Sequence, residues 1–343
     1  MKKKREIKTN VITQEQQTSM WVRIVTGIVA AILVLPPVFL GEWYFFALSV
    51  IFVGLASWEL ARSAKKKYNP LLYIITFILI ALLTYAPIIK NALPDGNDRA
   101  PFVGDWHLYS NFDTMYLSIL IIFIGIVLIF SLVLIDKNFE VRDAAYMATF
   151  GIVIGLGLQA LLFLRYYPLT EFYIAGNAVP DPHFDFLDST ALIFFVVIGS
   201  IMCDTGAYFT GMIFGKKKIN ERISPKKTWE GFVGGAIFSL AFTLTFGFVM
   251  AAVGKPIISS LDLSHWYFIV ILAVTIALIS QLGDFIFSSI KRYYGFKDFG
   301  FIMPGHGGLL DRIDSVLFSS LASAIFVIMF NCIITGNWEG FLL

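Results

Sequence analysis

Two clusters of polar residues in the C-terminal half of the chain have the side-chain types for chemistry on phosphate groups. The first combines hydroxyls and cations that can hydrogen-bond to phosphate oxygens, namely Ser224, Lys226, Lys227 and Thr228. The second is longer and adds carboxylates: Asp284, Ser288, Lys291, Arg292, Lys297, Asp298, His306, Asp311, Arg312 and Asp314. Mg²⁺ prefers one or two carboxylates plus substrate phosphate oxygens, while cations offset the remaining negative charge. The clusters therefore indicate phosphoryl or nucleotidyl transfer by positioning and electrostatic stabilisation.

The spacing inside the second cluster is helical. Asp284, Ser288 and Lys291 follow the pattern i, i+4, i+7 and so share one helix face. Asp311 and Asp314 begin the same arrangement at the start of the next predicted helix. An ionisable side chain inside a membrane span costs roughly 2.5 to 3.5 kcal/mol, so such residues normally face a cavity and mark function. We therefore predict that two acidic helix faces enter the same membrane boundary.

Asp204 is a further candidate, because it lies inside a predicted span with no nearby cation on its own helix. Structural alternatives stay open for several residues. Asp284 could instead form an ion pair with Lys291 or Arg292, and Asp204 could pair with a neighbouring helix. The His306 ring is equally well explained as a hydrogen-bonding strut or as a functional group. The glycines around it precede a helix start, where backbone N–H groups commonly meet an anion.

The composition indicates that most of the chain lies in a membrane rather than in water. Of 343 residues, 57% are apolar and 15% are charged, which is far from the balance of soluble proteins. The formal net charge of +2 gives no support to nucleic-acid binding. Cys203 and Cys332 lie in apolar runs, where a thiol packs as a small hydrophobe. Neither a disulfide framework nor a zinc site is predicted from them.

Nine apolar segments are long enough to cross a bilayer core about 30 Å thick, which takes roughly 20 helical residues. They lie near residues 22–40, 43–61, 71–89, 115–135, 144–164, 190–214, 232–253, 266–290 and 313–334. We therefore predict an all-α, polytopic integral membrane protein with about nine transmembrane helices. Its predicted regions are a basic and polar tail over 1–21, transmembrane helices with outer loops over 22–188, and a catalytic transmembrane region over 189–343.

Basic residues lie mostly in alternate loops, and this pattern predicts the orientation. The positive-inside rule places short loops rich in Lys and Arg in the cytoplasm. The poorer set of loops contains only Lys90, Arg99, Arg165 and Lys255. The N-terminus and the polar loops 215–231 and 291–312 are therefore predicted to be cytoplasmic, and so is the site that these loops form. Because no organellar address is visible, we expect a bacterial cytoplasmic membrane.

Two stretches together resemble the signature of the phosphatidate cytidylyltransferase family. One runs from Ser288 through Lys291-Arg292, Lys297-Asp298 and Pro304-Gly305-His306-Gly307-Gly308 to Asp311-Arg312 and Asp314. The other is Asp204-Thr205-Gly206-Ala207-Tyr208 with Ser224-Pro225-Lys226-Lys227-Thr228-Trp229-Glu230-Gly231. The resemblance covers roughly residues 203–314, whereas the first five predicted spans match only in being hydrophobic.

The resemblance implies that CTP and phosphatidic acid react to give CDP-diacylglycerol and pyrophosphate in phospholipid biosynthesis. It implies Mg²⁺ as cofactor, with a second cation left open, and makes Asp284 and Asp311 the metal-site acids. The catalytic candidates are then Lys291, Ser288, Arg292 and Asp314, and the phosphate-binding candidates are Ser224, Lys226, Lys227, Thr228, Lys297, His306 and Arg312. Asp204 and Asp298 are additional candidates. The expected partners are both substrates and the lipid bilayer, with a homodimer left open and no nucleic acid.

Two other functions fit part of the pattern. A CTP-dependent lipid kinase of the polyprenol or phytol kinase type would share the solvent, the nucleotide and the metal, but it would cleave the γ-phosphate. A secondary transporter would use buried acids at its substrate site, but it would not require cytoplasmic Lys and Arg loops joined to acidic helix ends. The products formed from CTP distinguish these alternatives.

Overall fold

The computed structural model describes residues 14–63, 68–92, 114–174, 186–258, 265–304 and 307–335. Its elements, in chain order, are α1 (Gln14–Leu40), α2 (Glu42–Ser63), α3 (Pro70–Ala92), α4 (Thr114–Ile135), α5 (Val141–Ile174), α6 (Phe186–Phe214), β1 (Lys218–Asn220), β2 (Ser224–Thr228), α7 (Trp229–Ala252), α8 (Trp266–Tyr293) and α9 (Leu310–Thr335). The predicted all-α architecture is confirmed for this part of the chain, with one short hairpin added.

Eight of these helices are long and apolar enough to cross a membrane. In α1 the apolar part that the structure describes in full covers Val25–Leu40. Large apolar side chains face outward on the bundle, including Phe123 at 65% exposed and Leu134 at 89% exposed. Such a surface is stable against hydrocarbon, because contiguous apolar area is poorly solvated by water. The prediction of a polytopic membrane protein is confirmed.

Helix α5 packs against several neighbours within the bundle and is longer than predicted. The apolar pattern predicted a span over 144–164, whereas the helix continues to Ile174. Arg165, which the charge pattern placed in an outer loop, lies inside the helix and is 3% exposed. Its Nε donates a hydrogen bond of 2.8 Å to the Val38 carbonyl near the end of α1. This acceptor explains how a cation is accommodated in a buried position.

Helices α6 and α7 lie close together because glycines line their contact. A Cβ on Gly235 would lie 2.7 Å from the Cys203 carbonyl oxygen, and one on Gly231 would lie 2.9 Å from that of Ala207. Both positions therefore require glycine. The close approach brings the start of α7 against the turn of α6 that carries Asp204, and it brings Thr228 of the hairpin against Gly211 further along α6.

Strands β1 and β2 form an antiparallel hairpin in a segment predicted as a polar loop. The alternation of apolar and polar residues that indicates a strand is missing there, so the pattern did not predict it. Thr228 ends β2 opposite Lys218, and its hydroxyl accepts a hydrogen bond of 3.1 Å from the Gly231 N–H, which caps α7. The Glu230 carboxylate accepts a hydrogen bond of 3.2 Å from the Lys217 N–H. The hairpin is therefore tied to the start of α7.

Candidate active site

Lys227 on β2 and Asp284 on α8 form an ion pair, which we call the hairpin pair. The Lys227 Nζ lies 2.5 Å from the Asp284 Oδ2, and it lies 4.0 Å from the centre of the Phe285 ring. The Ser288 hydroxyl donates to the Asp284 Oδ1 at 3.2 Å, so the predicted sharing of a helix face by these two residues is confirmed. The pair stays partly open to solvent, with 24% of the lysine side chain and 28% of the aspartate side chain exposed.

Lys291 on α8 and Asp311 on α9 form a second ion pair, the loop pair, which is almost fully buried. The Lys291 Nζ donates to the Asp311 Oδ1 at 2.9 Å and lies 3.8 Å from the Asp314 Oδ2. The other Asp311 oxygen accepts hydrogen bonds from the Phe299 N–H at 2.7 Å and from the Gly308 N–H at 3.0 Å. Both oxygens of Asp311 are therefore engaged, and they tie the loop after α8 to the start of α9.

Asp204 on α6 links the two pairs. Its Oδ2 accepts a hydrogen bond of 3.0 Å from the Ser315 hydroxyl on α9. Its charge interacts unfavourably with Asp284 and favourably with Lys227. Asp314 is also close enough to experience repulsion from both Asp204 and Asp284. Carboxylates from α6, α8 and α9 therefore converge, and the ammonium groups of the two pairs offset part of their charge.

A cavity of about 410 Å³ opens beside the hairpin pair, between α6, α7, α8 and the hairpin. Its polar wall consists of Asp204, Ser224, Lys226, Lys227, Thr228, Gln281 and Asp284. Its apolar wall includes Tyr208, Met212, Ile219, Phe232 and Phe285. The volume lies within the range of about 300 to 1,000 Å³ that is typical of small-molecule sites. A charged end and an apolar wall together suit an anionic amphiphile.

Most of the predicted site residues meet in this region. Asp204, Asp284, Ser288, Lys291, Asp311 and Asp314 form one network with Lys227, while Ser224, Lys226 and Thr228 line the adjoining cavity. Arg312 lies close enough to Asp204 for a favourable charge interaction. The ionic partner of Asp284 is Lys227, rather than the Lys291 or Arg292 considered from the sequence. The partner of Asp204 on a neighbouring helix is a serine, not a cation.

The remaining predicted residues lie at the edge of the network. Arg292 is exposed and donates to two backbone carbonyls, at 3.3 Å on the hairpin and at 3.4 Å on the loop after α8. It therefore joins these two segments. Lys297 is exposed on the same loop, and Asp298 is half-buried next to Gly307. His306 lies outside the described residues, so both explanations of its role stay predictions.

The carboxylates fit a divalent cation in type but do not form an all-protein cage. Among the residues that the structure describes, no three His, Cys, Asp or Glu side chains are grouped so that they could hold a metal ion. Mg²⁺ does not need such a cage, since it commonly takes one or two carboxylates and completes its shell with phosphate oxygens and water. Asp284, Asp311 and Asp314 each direct an oxygen towards the ammonium of Lys227 or Lys291. Positions that attract an ammonium also attract a metal cation.

Glu59 on α2 is a functional candidate that was not predicted. Its side chain is fully buried, at 0% exposed. Its two oxygens accept hydrogen bonds from the Leu309 N–H at 2.8 Å and the Leu310 N–H at 2.9 Å. From the sequence, the N–H groups at the start of α9 are expected to bind an anion, and in the structure this anion is the Glu59 carboxylate of the same chain. The sequence did contain a signal for Glu59: it lies inside the predicted span 43–61, and an acid inside a span usually has a buried partner or a function.

These features define a class of protein. It is a polytopic helical membrane protein in which acids of α6, α8 and α9 gather with lysines of β2 and α8, next to a cavity with an apolar wall. Residues 21–330 match the sequence model of the Cytidylyltransferase family. The chain belongs to this family, and the resemblance seen in the two motif stretches is confirmed.

Known relatives extend the similarity over most of the chain. The phosphatidate cytidylyltransferase of Bacillus subtilis (strain 168) is 31% identical over 299 residues, which are 86% of this chain and 93% of the relative. The phosphatidate cytidylyltransferase of Staphylococcus saprophyticus is 30% identical over 299 residues, with 87% and 95% covered. That of Thermotoga maritima is 38% identical over 141 residues, which are 41% of this chain and 50% of the relative. The likeness therefore includes the N-terminal helices, beyond the motif stretches.

Proposed function

We propose that this protein is a phosphatidate cytidylyltransferase, which makes CDP-diacylglycerol and pyrophosphate from CTP and phosphatidic acid. One observation carries the proposal: acids of α6, α8 and α9 lie together with Lys227 and Lys291 beside a cavity that has an apolar wall. Both substrates bring phosphate groups, and one of them also brings hydrocarbon. The family membership and the names of the relatives support the same reaction.

In this reaction a phosphate oxygen of phosphatidic acid attacks the α-phosphorus of CTP. A new P–O bond forms while the bond from the α-phosphorus to the oxygen that bridges to the β-phosphate breaks, and its electron pair leaves with pyrophosphate. No covalent enzyme intermediate is required. The protein therefore acts by positioning the two phosphates and by offsetting their negative charge.

The two lysines have different tasks in this scheme. Lys227 lines the cavity and is partly exposed, so we assign it to a phosphate of the incoming substrate. Lys291 is buried between Asp311 and Asp314, so we assign it to hold these acids in place and to offset charge at the reacting phosphates. The Ser288 hydroxyl orients the Asp284 carboxylate.

We propose that Asp284 and Asp311 hold Mg²⁺ together with oxygens of the substrate, with Asp314 as a neighbouring acid. When bound, the metal would neutralise charge on the triphosphate and polarise the reacting phosphoryl group. The ammonium groups of Lys227 and Lys291, which face these acids, are then close to the same phosphates. Asp204 adds a further carboxylate beside this set, held by Ser315.

We place the site on the cytoplasmic side of a bacterial cytoplasmic membrane. The positive-inside rule assigns the basic hairpin and the loop after α8 to that side, and the relatives named above are bacterial. Lys297→Cys provides the test, because Lys297 is exposed on the loop and both native cysteines are buried. A membrane-impermeant thiol reagent should label the variant in inverted vesicles and leave it unlabelled in intact cells. Labelling in intact cells would reverse the orientation.

The reaction itself is tested with purified protein, Mg²⁺ and vesicles that contain phosphatidic acid. CTP labelled in cytidine should transfer its label to the organic phase, with one pyrophosphate released per CDP-lipid formed. A lipid kinase would instead move a γ-phosphate label to lipid and release CDP. A transporter would bind or move its substrate without consuming CTP. Either of the last two outcomes contradicts the proposal.

A further inference from the structure

The start of α9 is held by an acid from the other half of the chain. Glu59 on α2 is 0% exposed, and its Oε1 and Oε2 accept hydrogen bonds from the Leu309 and Leu310 N–H groups at 2.8 Å and 2.9 Å. The first N–H groups of a helix have no partner within the helix and carry the positive end of its dipole. A carboxylate satisfies both requirements. A buried charge is stable only with such partners, so Glu59 and the start of α9 fix each other.

The loop before α9 folds around this carboxylate. A Cβ added to Gly300 or to Gly308 would overlap the Glu59 Oε1. Neither position accepts a side chain while Glu59 keeps its place, so the close approach of an acid from α2 explains both glycines. Helix α1 reaches the same loop, since the Thr26 hydroxyl lies 3.2 Å from the Pro304 carbonyl. The N-terminal helices therefore contact the loop at more than one point.

The helix start that Glu59 holds also carries acids of the site. Asp311 follows Leu310 directly, accepts a hydrogen bond from the Gly308 N–H at 3.0 Å, and pairs with Lys291 at 2.9 Å. Asp314 lies one turn further along the same helix. A displacement of about 1 Å in a reacting geometry can lower a rate by about 10²-fold. Loss of the hydrogen bond from the Leu310 N–H to Glu59 would therefore shift the start of α9, and with it Asp311 and Asp314 at the reacting centre.

We propose that Glu59 is a positioning residue, which sets the start of α9 and thereby the placement of Asp311 and Asp314. The kinetic part of this inference rests on the proposed function, whereas its structural part does not. Glu59 is fully buried and stands outside the group of residues that lines the cavity. Its loss should therefore lower kcat and leave the KM values for CTP and phosphatidic acid nearly unchanged.

Glu59→Gln tests this role, because it keeps the side-chain size and removes one acceptor. An amide has one acceptor oxygen, and its NH₂ group would face a second N–H donor. Ser57→Ala is the matched control on the same helix: Ser57 is 5% exposed, and its hydroxyl donates to the Val53 carbonyl of its own helix at 2.8 Å. We expect Glu59→Gln to lower kcat by about 10- to 100-fold, with both KM values within about threefold. Ser57→Ala should keep kcat within about twofold.

Hydrogen–deuterium exchange over residues 307–315 gives a readout that does not depend on activity. Glu59→Gln should exchange faster there than the unsubstituted protein and Ser57→Ala, because the N–H groups at the start of α9 lose an acceptor. Failure of the proposed function would look different: the exchange difference would persist while the unsubstituted protein makes no CDP-lipid. Unchanged exchange with normal kcat in Glu59→Gln overturns the positioning role. An equal loss of kcat in Ser57→Ala overturns it as well.

A variant on the loop side covers the case in which Glu59→Gln does not accumulate in the membrane. Gly300→Ala leaves Glu59 intact and pushes a methyl group against its carboxylate. It should lower kcat by about 10- to 100-fold with the same small change in KM, and it should speed exchange over residues 307–315. Normal kcat and normal exchange in Gly300→Ala would show that the contact does not position α9.

Discussion

The two aspartate–lysine pairs of the site are alike in composition and differ in how firmly they are held. In the hairpin pair, Lys227 and Asp284 are 24% and 28% exposed. In the loop pair, Lys291 and Asp311 are 10% and 4% exposed, and the aspartate also accepts two backbone hydrogen bonds. An exposed ion pair contributes about 0 to 1 kcal/mol, whereas removing one partner of a buried pair costs about 3 to 5 kcal/mol.

This difference separates two tasks within one site. The loop pair is buried and held by two further backbone hydrogen bonds, so we expect it to stay intact and to fix the geometry of Asp311 at the proposed metal site. The hairpin pair is more open to solvent and lines the cavity, so we expect a substrate phosphate to compete with Asp284 for the Lys227 ammonium. Substitutions in the loop pair should therefore lower stability together with activity. Substitutions in the hairpin pair should change binding or catalysis and leave stability nearly unaltered.

Asp311→Asn should have the largest combined effect. One carboxylate oxygen becomes an NH₂ donor, so the side chain can no longer accept from Lys291 and from both backbone N–H groups. We expect activity to fall by about 10²- to 10³-fold and the free energy of unfolding to fall by about 3 kcal/mol, while the protein still inserts. Turnover in washed membranes and thermal unfolding in detergent measure the two effects. Near-normal activity would remove Asp311 from the reacting centre.

Asp284→Asn should resemble Asp311→Asn in activity and differ from it in stability. Asp284 is one of the proposed metal-site acids, so activity should again fall by about 10²- to 10³-fold. Its ionic partner Lys227 is partly exposed, and water can solvate that ammonium once the carboxylate is gone. The free energy of unfolding should therefore change by less than about 1 kcal/mol. Equal destabilisation in both variants, measured side by side, would contradict the distinction between the two pairs.

Lys227→Ala removes the cation that we assign to an incoming phosphate. A hydrogen bond to a charged group contributes about 1.5 to 3 kcal/mol, so the KM for CTP or for phosphatidic acid should rise by about tenfold or more. The unfolding temperature should stay close to that of the unsubstituted protein. Steady-state kinetics with each substrate varied in turn identify which phosphate is bound. Unchanged KM and kcat for both substrates would refute the assignment.

The membrane helices could be predicted from the sequence because the bilayer fixes the length of each apolar segment. The structure goes beyond the predicted elements where a contact from another element decides the local structure. The 144–164 segment ended before Arg165, since nothing in its own helix shows that the Val38 carbonyl accepts from this cation. The hairpin was missed because its stability depends on bonds to the start of α7, such as that from the Lys217 N–H to Glu230.

The candidate site was predictable where its contacts follow one helix. Ser288 and Asp284 are four residues apart, and they are bonded as the spacing predicts. Pairings between elements were not predictable. The choice of Lys227 as partner of Asp284 depends on how close α6, α7 and α8 pack, and the contact from Glu59 to Leu309 joins residues 250 positions apart. A single sequence does not show which residues of different helices lie close together.

Lys226→Ala should have the smallest effect, and it provides the control for Lys227→Ala. Lys226 is the neighbouring residue on β2, is exposed and lines the same cavity. Its ammonium therefore attracts a substrate phosphate by a charge interaction that water and salt screen. We expect KM to rise by about two- to threefold at low salt, and this increase should vanish near 1 M salt, where the Debye length is about 3 Å. Lys227→Ala should keep most of its effect there, because its ammonium is partly buried between Asp284 and Phe285. Equal effects of both variants at high salt would mean that the hairpin presents two interchangeable lysines and that the Lys227–Asp284 pair has no separate task.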